Sequence, residues 1–136
     1  MLRIAVAGYE LGARWEEERS PRTVAFVGTM LPYESKLVQA RWSGQAAWVP
    51  MGDYDVGDLG FEDPTSYPEP GQLLLYPGGL SEIEILFPYG ETCFASKAGQ
   101  LAGNHFATVV EGAEHLRAIG DRVLWEGAQP IRFEED

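Results

Sequence analysis

"LLLYPGGLSEIEILFPYG", residues 73–90, is a strand, a turn and a second strand, and it sets the pattern for the whole chain. Leu73 to Tyr76 form one apolar run, and Pro77-Gly78-Gly79 carries the turn chemistry, because glycine takes backbone angles that a Cβ obstructs. The return, Ser81 to Phe87, alternates. Ile83, Ile85 and Phe87 face one way, while Glu82 and Glu84 face the other, which reads as a strand with one wet face. A glycine pair can also cradle a phosphate, but that needs a helix N-terminus immediately after it. Here a strand follows, so the pair reverses the chain.

The same alternation recurs outward from this hairpin. "LRIAVAG" (2–8) is a half-buried strand, and "KLVQARWSGQAAWVPMG" (36–52) reads as two strands joined at Ser43-Gly44. "ETCFAS" (91–96), "HFATVVEG" (105–112) and "AQPIRFE" (128–134) read as further strands, with "KAGQLAGN" a glycine-broken loop. "ARWEEER" fits either a strand or an approach turn. Two segments carry the helical period. In "SPRTVAFVGTMLP", Ser20 is the expected N-cap, Pro21 the first helical residue and Pro32 the stop, with Val24, Val27, Met30 and Leu31 on one face. "AEHLRAIGDRVLWEG" repeats the pattern through Leu116, Ile119 and Val123, although Gly120 weakens its middle by about 1 kcal/mol. About eight short strands and two helices predict a mainly β domain over residues 1–136, antiparallel and closed into a barrel so that no strand edge is left exposed.

Composition narrows the function. The 136 residues carry 21 acidic and 10 basic side chains, a formal net charge of −11. That balance repels nucleic acid and anionic membranes, so neither is an expected partner. No apolar run is long enough to span a bilayer, and the first ten residues lack the form of a signal peptide, which predicts a cytoplasmic protein. Cys93 is the single cysteine. It reads as a small hydrophobe inside a strand rather than as a catalytic thiol.

The chemistry-bearing motifs are few. Asp53, Asp55 and Asp58 start an acidic loop, but a calcium loop counted from Asp53 puts Asp58 at the glycine position and Pro64 at the glutamate position. Carboxylates that cap turns are the better reading, so no metal and no cofactor are expected. The long stretch 53–72 is either functional or ordered by its own packing. Arg41 is the one basic residue between Lys36 and Lys97. Facing inward, it would demand an anionic partner; facing outward, it would be solvated. Asn104 and His105 place a donor and an acceptor at the entry to a strand. Trp42 and Trp48 are large enough to dominate a core or a binding surface.

The succession "SPRTVAFVGTMLP", "RWSGQAAWVP", "VGDLGF", "YPGG", "SEIEILFPYGE" and "FASKAGQLAGNHF" resembles the DUF3830 family, uncharacterised bacterial proteins with a cyclophilin-like fold, over residues 2–133. The resemblance implies a closed eight-stranded antiparallel barrel covered by two helices. The prolyl-isomerase signature of true cyclophilins is not matched. Arg41 stands where their arginine could, and "GNHF" replaces "GSQFF", but no "FHR" precedes a "QGGD". Similar domains also occur in subunits of amide-metabolising enzymes. The implied function is a small amide- or carboxylate-bearing ligand bound in a barrel-wall pocket by Arg41, Trp48, Asn104, His105 and Phe106, with Trp42 as a further aromatic wall. A proline-peptide binder or isomerase, and a non-catalytic interaction subunit, are the alternatives. Two open barrel ends and four tryptophans also allow a homo-oligomer.

Overall fold

The computed structural model describes residues 1–136. In chain order the strands are β1 (Leu2–Val6), β2 (Tyr9–Trp15), β3 (Tyr33–Gln39), β4 (Gly44–Gly52), β5 (Gln72–Tyr76), β6 (Ile83–Thr92), β7 (Ala95–Ser96), β8 (Gly99–Gln100), β9 (Asn104–Glu111) and β10 (Gln129–Glu135). Helix α1 spans Pro21–Met30 and α2 spans Leu116–Glu126. Eight strands close into one antiparallel barrel in the order β1-β10-β3-β4-β6-β5-β9-β2, and β7 and β8 form a separate two-stranded hairpin. The alternating pattern of the sequence therefore leads to the expected closure, consistent with the cyclophilin-like architecture that the resemblance implies.

Inside the barrel, 27 buried residues form one cluster, with Leu75, Ile85, Phe87, Phe106 and Phe133 among them. The helices complete it. Val24 and Val27 of α1, and Leu116, Ile119 and Val123 of α2, belong to the same cluster. Close packing leaves such an interior without room for a ligand.

A second apolar cluster lies on the outer wall, made of Ala40, Ala46, Leu74, Tyr76, Leu86, Phe94 and Leu101, with Trp48 packed against it. Strand registers show how it arises. Val38 pairs with Trp48, Trp48 with Leu86, Leu86 with Leu74 and Leu74 with His105, giving one outward row across five strands. Residues 93–101 roof this row, with Phe94 and Leu101 facing down onto it.

Three expectations need correction here. The outer face of β6 is not wet: Ile83 to Tyr89 are all buried, and Glu84 is only 6% exposed. Cys93 is exposed and lies between β6 and β7 rather than within a strand. Ser20 precedes α1, but its side chain makes no cap bond and its buried hydroxyl has no partner. Glu62 takes the capping role from the long loop, accepting from Thr23 N (2.7 Å), Thr23 Oγ1 (2.7 Å) and Arg22 N (3.1 Å). The 53–72 stretch is ordered by such contacts: Leu59 enters the main core, and Asp55 accepts from Gly57 N.

Candidate functional site

The turn between β3 and β4 is built by "RWSG". Ser43 is buried and clamps the roof: its Oγ donates to Ala95 O (3.1 Å) and accepts from Ala95 N (3.0 Å), while its carbonyl accepts from Cys93 N (3.1 Å). Gly44 has φ +93°, and a Cβ there would lie 2.9 Å from Glu91 O, so only glycine fits. These constraints lift Arg41 and Trp42 out of the strand onto the rim. Arg41 is exposed, with its guanidinium carbon 5.5 Å from the centre of the Trp42 ring, and Trp42 is 52% exposed.

Beneath this rim is a hollow of about 340 Å³ on the outer wall. Trp42 and Trp48 supply aromatic walls, Arg41 and Lys97 supply cations, and Glu84 supplies a carboxyl group. Ser81 and Ser96 add hydroxyls. Burial pushes the Glu84 carboxyl up to about 8, and the neighbouring charge of Glu82 adds to the effect; no hydrogen bond or cation offsets them. Glu84 therefore has no protein partner, and its carboxyl oxygens reach solvent only through the hollow, where they can meet whatever fills it.

The expected site residues do not converge. Arg41 and Trp48 share the hollow. His105 lies on the same outward row as Trp48, but three inter-strand spacings away, about 14 Å. Its Nε2 is 2.7 Å from Thr108 Oγ1, and that hydroxyl donates to Glu16 Oε2 (2.5 Å). A hydroxyl has a single proton, so Nε2 must carry its own and donate to Thr108. Burial lowers the His105 pKa, opposed by the charge of Glu16. Asn104 is fully buried and spends its amide on structure: Nδ2 donates to Thr23 Oγ1 (3.1 Å) and Gly60 O (3.0 Å), and Oδ1 accepts from Glu62 N (2.8 Å). Phe106 is fully buried in the main core.

Glu84 and Lys97 were absent from the expected set. The signal for Glu84 was present: it is the one polar residue in "IEILFPY" (83–89), a run long enough to mark a strand covered on both faces. A wider depression of about 700 Å³ crosses β1, β10 and β3, but Arg132 there is paired with Glu34 and Glu134, and Arg122 with Ala7 O and Glu126. Its charged groups are largely satisfied within the protein.

With this geometry in place, the chain can be set beside known proteins. The family described as a protein of unknown function, DUF3830, matches residues 2–135. The chain belongs to the DUF3830 family. Comparison with curated proteins gives no match. Among solved structures, McbB in complex with tryptophan is similar, with a TM-score of 0.76 and 20% sequence identity. The match covers 100% of this DUF3830 chain and 45% of the McbB chain, so the two share a fold over less than half of McbB.

Proposed function

We propose that this DUF3830 protein binds a small molecule carrying a carboxylate or amide group in the outer-wall hollow between Trp48 and the β7–β8 hairpin. The observation that carries this reading is Glu84, an acid only 6% exposed and without a protein partner, facing the 340 Å³ hollow. Arg41 and Lys97 offer donors to a carboxylate, the serine hydroxyls and a protonated Glu84 can serve an amide, and two indoles supply apolar contact. McbB, which shares this fold over 45% of its chain, was solved in complex with a small ligand, tryptophan, which supports a small-molecule role for proteins that carry the fold. Binding alone satisfies these observations; catalysis is not required by them.

Thermal-shift screening with small carboxylates and amides tests the reading. Stabilising compounds are expected, and Trp48→Ala should weaken them roughly tenfold or more by removing an aromatic wall. If no compound stabilises the protein, or if Trp48→Ala leaves every stabiliser unaffected, the hollow is not the site.

A proline-peptide binder is a second reading, favoured by a separate apolar trough of about 460 Å³ lined by Phe61, Pro64, Tyr76, Leu80 and Leu101. A protease-coupled prolyl assay addresses it, and turnover no faster than the uncatalysed rate would remove the isomerase form.

A further inference from the structure

The hollow carries opposite charges at two levels. Glu84 lies on β6, among the buried residues Ile83 and Ile85 along its own strand, and pairs with Pro50 on β4 and Tyr76 on β5. Arg41 lies on the rim loop, and Lys97 follows β7 at the tip of the roofing hairpin. Neither cation forms an ion pair with Glu84 within 4.0 Å, and Arg41 is turned over the Trp42 ring instead. The protein thus holds its own positive groups off its own buried carboxyl.

We propose that the ligand is a small zwitterion whose cationic nitrogen meets Glu84 between the indoles while its carboxylate meets Arg41 and Lys97 at the mouth. The inference rests on the hollow being the ligand site. Three observations favour a zwitterion over a simple amide or acid. A buried carboxylate needs donors, and no protein group supplies them, whereas an ammonium brings three. Indole faces attract a cation through their electron-rich rings. A net charge of −11 repels a plain anion but not a molecule of zero net charge.

The direction of the pH dependence separates the two chemistries. The charged and titratable groups around Glu84 are Glu82 on its own segment, Tyr76 on β5, Arg41 on the rim and Lys97 on the hairpin; its β4 neighbours, Trp48 and Pro50, are neutral. With Glu84 titrating at about 8, a cationic nitrogen must displace its proton. Affinity for a zwitterion then rises as pH climbs towards 8 and levels off above it, until the ligand amine itself deprotonates. An amide carbonyl accepting from the protonated acid gives the reverse, constant affinity below 8 and loss above.

The experiment compares the standard α-amino acids, their N-acetyl derivatives and the matching primary amines on the full chain by calorimetric titration between about pH 6 and 9. The expected result is that at least one amino acid binds, more weakly by roughly tenfold or more when either charge is removed, with affinity rising towards pH 8. Glu84→Gln should abolish the preference for amino acids over their N-acetyl forms. If N-acetyl derivatives bind as well as amino acids, and affinity falls through pH 8, the zwitterion assignment is overturned and the hollow is an amide or carboxylate site. If none of these probes, nor any other carboxylate or amide, binds in a Trp48-dependent way, the ligand-site reading fails as well. Should Glu84→Gln not fold, the pH course of the wild-type protein still decides.

Discussion

At the residue scale, two glutamates show how position reverses the behaviour of one side chain. Glu84 is buried without a partner, so its folded pKa of about 8 lies above the ordinary 4.5. The folded state therefore holds an extra proton between those values, and stability falls as pH rises through that window. Glu84→Gln should flatten the curve: melting temperatures near those of the wild type around pH 4.5, and clearly higher ones at pH 8. Parallel curves would place the acid in water. Glu62 behaves oppositely. Burial would raise its pKa, but hydrogen bonds from the Thr23 side chain, from the Thr23 and Arg22 backbone, and the Arg22 charge hold it below 4.5. Its contribution is present above the ordinary value and is lost as pH falls through the lowered one. Glu62→Ala should cost about 1–3 kcal/mol near neutrality, measured by urea denaturation, and much less in strong acid. The role of Glu62 is not legible in sequence, because it depends on which distant segment lies opposite; the burial of Glu84 is signalled by the apolar run around it, but not the segment that roofs it.

At the element scale, local signals found the helices and strands but not always the reasons for their residues. Gly120 weakens α2 by propensity, yet a Cβ there would overlap the ring of Tyr89 on β6. Gly120→Ala should therefore destabilise by about 1–3 kcal/mol, despite its better helix propensity. A stabilised variant would show that α2 can move away from the barrel. Turn chemistry was more transparent. Gly78 and Gly79, at φ +104° and +125°, lie in the β5–β6 connection as the sequence indicates. Arg41 was harder to place, since alternation carries β3 two residues beyond its end at Gln39, and the Ser43 clamp that ends it comes from residues 93–95.

At the scale of the whole molecule, the closed barrel follows from alternation on short strands, and one cluster of 27 buried residues occupies its core. The site is less legible. Period-two reading separates the two faces of a strand, but it does not reveal that one outer face is roofed by another segment. Roofing turns Glu84 from a solvated carboxylate into a buried one and leaves Trp48 lining a hollow, whereas Phe106 belongs to the core inside the barrel and Asn104 bonds Thr23 and the 53–72 segment. The central claim is that ligand chemistry belongs to this roofed outer wall. Four tryptophans allow a direct test, because each indole N–H gives its own resonance in an isotope-labelled sample. Trp15 donates to Glu135 on the far side of the barrel closure, and Trp125 is 81% exposed on α2. On titration with amino acids and small carboxylates, the Trp42 and Trp48 signals should shift together while those of Trp15 and Trp125 stay fixed. Saturable shifts confined to Trp15 or Trp125, with Trp42 and Trp48 unmoved, would contradict the account.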